Sequence, residues 1–225
     1  MESKNQKLML AAICTVLVVS LAFSLGYNIG RVQVPSLLNS LQQYNGDLDN
    51  LLLAASLGNS NSSASCGILY SSLSSLSSQL NTLSTEAIDL TSQPTPGVNY
   101  TGVIVQLAYT RVSYWLIAQR INDQCGNKIV TELMFYSPKN CPNCVTEGNE
   151  IAYLSSETNA SIGVVLDGTV NLQVVSSLNR AFNITTFPTL VINGKYVVKG
   201  YQTLPQILQD ICADTNVSSF CDSTI

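Results

Sequence analysis

Four rhythms of apolar and polar positions follow one another along the chain. The first is an apolar run from Leu8 to Ile29, interrupted only by Thr15, Ser20, Ser24 and Asn28. As a helix rising about 1.5 Å per residue it reaches about 33 Å, enough to cross a bilayer core. The second rhythm is helical. Leu37, Leu38, Leu41, Tyr44, Leu48, Leu51, Leu52 and Ala55 make a stripe, loosely broken at Asn45-Gly46, and residues 58–65 form a polar loop. The third is a heptad seam. Leu69, Leu73, Leu76, Leu80, Leu83, Ala87 and Leu90 alternate spacings of four and three, which predicts a packed helix. Its other face is mostly serine, and no charge occurs between Asp49 and Glu86. Serine is a mediocre helix former, so packing must stabilise this helix. Pro94, Pro96 and Gly97 end it, and a further helix is expected over 103–124, with Leu107, Tyr114, Trp115 and Ile121 packing.

From Lys128 the period shortens. The β-branched and aromatic run 129–136 predicts a strand. A turn at 137–140 leads to Cys141-Pro142-Asn143-Cys144 and a helix to about Ser156. Strands are expected at 161–167, 189–192 and 195–199, the last two joined by the hairpin signal Asn193-Gly194. Helices are expected at 170–182 and 204–213, Pro205 being tolerated in a first turn. The order is β-α-β-α-β-β-α. The predicted class is α/β, divided as 1–30 (membrane anchor), 31–127 (helical region) and 128–225 (sheet domain with its tail). The helical region reads as a spacer with a packing surface, or as a partner-docking surface.

Composition sets the compartment and narrows the chemistry. Charged residues make up 11% of the 225 residues, well below the roughly 25% of typical soluble domains. The net charge is −4, and no basic run follows the N-terminus, so nucleic acid is not an expected partner. Histidine is absent, which excludes Ser-His-Asp, Cys-His and HExxH chemistry. Lys4 and Lys7 on the short side of the apolar run place the N-terminus in the cytoplasm and everything after Arg31 outside. Ser20-Leu21-Ala22 offers a signal-peptide cleavage site. The run continues past it to Ile29, which favours an uncleaved single-pass anchor over 8–29. Glycosylation acceptors at Asn61, Asn99, Asn159, Asn183 and Asn216 all follow the anchor.

Six of the seven cysteines also follow the anchor: Cys66, Cys125, Cys141, Cys144, Cys212 and Cys221. An even number outside the cytoplasm suggests disulfides, and sequence alone does not choose the pairing. A four-cysteine zinc site usually needs two CxxC knuckles, and only one is present; no metal or cofactor is expected. Cys66 opens one helix and Cys125 closes the next, so an antiparallel hairpin would bring them together. Cys212 and Cys221 flank the short tail and read as a structural bridge. Cys141 sits just before a helix, where unpaired N–H groups and the helix dipole favour a thiolate. Cys144, one turn in, is expected to be more buried. Cys141 then attacks and Cys144 resolves. A permanent staple is the alternative, although so small a loop restrains the unfolded chain little. Glu132 and Glu147 near the motif read as solvated charges.

The Phe135-Tyr136-Ser137 strand end, the CPNC at a strand-to-helix turn and the run Phe187-Pro188-Thr189-Leu190-Val191-Ile192-Asn193-Gly194 resemble the thioredoxin fold over about 128–213. The Cys-Pro-x-Cys form looks more like DsbA-like proteins and glutaredoxins than thioredoxin's own motif. The layout is similar to membrane-anchored thioredoxin-like proteins of archaea and bacteria. The resemblance implies a thiol–disulfide oxidoreductase with Cys141 and Cys144 as its redox pair and a cis Pro188 close to Cys141. Pro142, Asn143, Phe187 and Pro188 would meet substrate. It also implies exported protein substrates and a membrane partner that resets the pair. The chain departs from the family at Phe135, where a buried acid is common, and at Phe187, where a small residue is usual. It departs again at Asn140 and Asn143. A potential between those of thioredoxin and DsbA is therefore expected. The other functional class is a redox-inactive scaffold that docks partners through its helical region.

Overall fold

The computed structural model describes residues 63–92, 100–126, 129–158 and 160–214, together with the single positions Ser20 and Cys221. Apart from Ser20, the apolar span 8–29, together with the stripe 37–55 and the acceptors Asn61, Asn99, Asn159 and Asn216, lies outside the described residues. Among the described residues, no helix is long and apolar enough to cross a membrane.

Two long helices come first, α1 (Ser63–Ser92) and α2 (Tyr100–Cys125). Of the heptad seam, Leu69, Leu76, Leu83, Ala87 and Leu90 are buried. Leu69 and Leu76 pack with Ile117 and Ile121, while Leu83, Ala87 and Leu90 pack with Val103 and Leu107. The start of α1 therefore meets the end of α2, as in an antiparallel hairpin. Each fully buried leucine contributes about 1.5–3 kcal/mol. Several hydroxyls of α1 bond to their own helix: Ser71, Thr82, Thr85 and Thr91 donate to the carbonyls of Ile68, Ser78, Asn81 and Ile88.

Helix α2 has a second apolar face. Ala108, Val112, Trp115 and Ala118 share a core with Leu133, Phe135, Val164, Leu166 and Val191 of the sheet. The Trp115 ring meets Phe182 edge-on, with centroids 5.9 Å apart. The Asn122 side chain accepts the Ile129 N–H at 2.8 Å and donates back to the Ile129 carbonyl, fixing the connection into the first strand. Through α2 the described helical hairpin thus shares a core with the sheet across residue 127.

The sheet contains β1 (Val130–Tyr136), β2 (Ser161–Asp167), β3 (Thr189–Ile192) and β4 (Tyr196–Lys199), in the order β2-β1-β3-β4. β1 runs parallel to β2 and antiparallel to β3, and β3 and β4 are antiparallel. Three shorter helices complete the fold: α3 (Cys144–Glu157), α4 (Gln173–Ala181) and α5 (Leu204–Asp214). α2 and α4 cover one face of the sheet, and α3 and α5 cover the other. β1 lies inside the sheet with both faces covered, which explains a nearly continuous apolar run rather than alternation. The fold is α/β, with five helices and a four-stranded mixed sheet among the described residues. Helix α4 starts at Gln173 rather than 170, because the chain first turns so that Leu172 N–H reaches the Val170 carbonyl. β4 starts at Tyr196 because Asn193 (φ 51°) and Gly194 (φ 67°) form the tight turn that brings Lys195 N–H to the Ile192 carbonyl.

Candidate functional site

The carboxyl end of β1 delivers the cysteine pair. Past Tyr136, the Ser137 hydroxyl donates to the Lys139 carbonyl at 2.7 Å. Asn140 takes a left-handed conformation (φ 57°), one that asparagine tolerates better than most residues. This turn sets Cys141 just ahead of α3. Asn143 occupies the cap position and makes no side-chain cap. Glu147 N–H bonds the Asn143 carbonyl at 3.1 Å, and Cys144 N–H bonds the Cys141 carbonyl at 3.3 Å. Cys141 and Cys144 are disulfide-bonded, their Cα atoms 5.4 Å apart. They are unequal in access. Cys144 is 5% exposed, Cys141 is partly exposed, and Pro142 and Asn143 are exposed. On opening of the bond, the uncapped start of α3 offers N–H groups and a positive dipole end to a thiolate at Cys141.

Phe187 and Pro188 lead into β3, which pairs with β1 in the sheet. Their peptide bond is cis. Pro188 is buried, and Phe187 packs against the apolar cluster that contains Cys141 and Cys144 as well as against the cluster under α2. Gly168, just past β2, makes room for the phenylalanine. A Cβ at 168 would come within 2.9 Å of the Phe187 Cζ. The bulky residue at 187 is thus matched by a missing side chain at 168. Arg111 of α2 reaches the same end of the sheet, where it bonds the Tyr136 phenol near Asp167. Burial lowers its pKa, and those two neighbours oppose the shift.

Two acids expected in solvent are buried, which corrects the sequence reading. Glu132 and Glu147 are both fully inaccessible. Burial pushes the Glu132 carboxyl up to about 8, against the opposing hydrogen bond from Ser161. The Ser161 hydroxyl sits 2.9 Å from both carboxyl oxygens. Glu132 is four residues back along β1 from Tyr136, about 13 Å from the cysteine end at 3.3 Å per residue. Glu147 belongs to the first turn of α3. Burial raises it to about 7, the Gln202 N–H bond opposes, and the charge of Glu150 adds to the rise. The signal was in the spacing: Cys144, Glu147, Ile151 and Leu154 are the buried residues of α3 and form one stripe.

The other four described cysteines form two further disulfides. Cys66 and Cys125 are bonded across the open end of the α1–α2 hairpin, with Cα atoms 5.8 Å apart. Cys212 and Cys221 are bonded at the end of α5, with Cα atoms 5.7 Å apart. The six described cysteines are therefore all in disulfides. The acceptor Asn183 is exposed at the end of α4. No family model, curated protein or solved structure matches the chain.

Proposed function

We propose that this chain is a thiol–disulfide oxidoreductase on a thioredoxin-like fold. On this reading it is held in the membrane by residues 8–29, its domain lies outside the cytoplasm, and it acts on exported proteins. The observation that carries the reading is the unequal pair at the uncapped start of α3. A partly exposed Cys141 is bonded to a buried Cys144. A staple has no need of that asymmetry, whereas an exchange reaction does. The neighbouring Phe187–Pro188 segment supports it, as does the sheet order β2-β1-β3-β4 with α3 between its two parallel strands.

The reaction balances as two exchanges. In the reduced protein, the Cys141 thiolate attacks one sulfur of a substrate disulfide. A protein–substrate disulfide forms, and the other substrate sulfur leaves as a thiolate that takes a proton. The Cys144 thiol loses its proton and attacks Cys141 Sγ. The substrate's second sulfur departs, and the Cys141–Cys144 bond forms. The substrate gains two electrons and the pair loses two. Run backwards, the same steps oxidise a substrate dithiol. Net direction is set by the membrane redox partner that resets the pair.

The test is a trap. Replacing Cys144 with Ser removes the resolving thiol, so substrates should accumulate on Cys141 as reducible adducts in membranes. An absence of adducts, with no insulin reduction by the full chain, would instead favour a scaffold.

A further inference from the structure

The loop between β4 and α5 is fixed at four successive residues. Gly200 N–H bonds the Pro188 carbonyl at 2.9 Å. The Tyr201 hydroxyl donates to Glu150 Oε1 at 3.2 Å. Gln202 N–H donates to Glu147 Oε2 at 3.1 Å. Thr203 donates from its N–H and its hydroxyl to Gln206 Oε1, both at 2.9 Å. One short strap therefore joins the strand opening at Pro188 to the helix that begins with Cys144, and two carboxyl groups of that helix hold it.

These carboxyls are poor choices for stability alone. Glu147 Oε1 and Glu150 Oε2 are buried without a hydrogen-bond partner. A buried, half-satisfied acid costs free energy that an apolar side chain of similar volume would not. The groups acting on Glu147 electrostatically are Glu150 on its own helix and, across the loop, Tyr201. No cation among them offsets the cost.

We propose that Glu147, assisted by Glu150, is a positioning residue of the redox site. It binds the 200–203 strap to α3 and, through Gly200, sets where the Phe187–Pro188 segment stands relative to the cysteine pair. The role concerns docking of a polypeptide next to the disulfide, not the exchange itself, and it rests on the oxidoreductase reading above.

The experiment compares the full chain in detergent with Glu147→Leu, Glu147→Gln and Tyr201→Phe. Three quantities are read: KM and kcat with a dye-labelled peptide disulfide, the rate at which dithiothreitol reduces the Cys141–Cys144 bond, and Tm. Glu147→Leu should raise KM roughly tenfold, the upper end of what one ordinary hydrogen bond contributes. It should leave the dithiothreitol rate within about twofold and Tm no lower than in the parent. Glu147→Gln keeps an oxygen acceptor and should restore KM. Tyr201→Phe removes only the Glu150 tether and should raise KM about threefold; it keeps the question open to refutation if the leucine variant misfolds. Parent-like KM in both Glu147→Leu and Tyr201→Phe would overturn the inference. So would a glutamine variant as impaired as leucine, or a dithiothreitol rate that falls in step with KM. A parent with no turnover at all would instead reject the oxidoreductase reading, and the positioning role with it.

Discussion

Replacing Glu132 with glutamine should stabilise the chain, and by far more at pH 9 than at pH 5. The carboxyl is fully buried in β1 and has been pushed up to about 8 from an ordinary value of 4.5. Below pH 4.5 the folded and unfolded chains both carry the proton, so the acid costs nothing through titration. As pH rises from there, the unfolded chain releases the proton and the folded chain keeps it. Stability then falls by about 1.4 kcal/mol per pH unit until the folded group also ionises near pH 8, and the loss levels off above that. Summed over the interval, the penalty is of order 3–5 kcal/mol. Glutamine carries no charge in either state and still offers an oxygen to the Ser161 hydroxyl. At about 2–4 °C per kcal/mol for a domain of this size, the variant should melt roughly 10 °C above the parent at pH 9 and within a few degrees of it at pH 5. Thermal melts of the full chain in detergent, followed by circular dichroism at unit pH steps from 5 to 9, give both curves. Glu147 is raised as well, to about 7, but it is present in both proteins and cancels in the difference. A gap that stays constant across this range would mean that Glu132 titrates as a solvated acid, and would refute its burial beneath α3 and α5.

Three further outcomes follow from the packing. Removing the hairpin bridge with Cys66→Ala and Cys125→Ala should cost roughly 4 kcal/mol on chain-entropy grounds and lower Tm, while the rate of Cys141–Cys144 reduction by dithiothreitol stays unchanged. Leu76→Ala, at a position 2% exposed, should cost about 2–5 kcal/mol in denaturant unfolding. Gly168→Ala would place a Cβ 2.9 Å from the Phe187 Cζ. It should therefore push the phenylalanine aside and raise KM for a peptide disulfide; paired with Phe187→Ala, which frees the space, it should lose most of its added effect.

Much of this architecture could be read in the chain because its periods are clean. The seam Leu69–Leu90 repeats at helical spacing, and its most buried members, Leu69 and Leu76, are those that meet Ile117 and Ile121. The bridge between Cys66 and Cys125 followed from the antiparallel hairpin that this seam requires. Of the second face of α2, made by Ala108, Val112, Trp115 and Ala118, only Trp115 was among the packing residues expected from the sequence. Periodicity shows that such a face exists but not which element will cover it, and here it is the sheet. The two buried glutamates were missed because charge was equated with solvent. Glu132 lies in a strand covered on both faces, and Glu147 lies on the stripe of Cys144, Ile151 and Leu154, so position decided against residue type. The strap at 200–203 had no sequence signature. Its decisive donors are the backbone N–H groups of Gly200 and Gln202, which every non-proline residue carries.

Whether Cys141–Cys144 is an exchangeable pair is decided by its equilibrium with a series of thiol–disulfide buffers. A reactive pair at an uncapped helix start, with a neutral Asn143 beside it, should show a reduction potential between those of thioredoxin and DsbA, roughly −270 to −120 mV. A potential below about −300 mV, in the range of structural disulfides, would make the CPNC bond a staple and contradict the account.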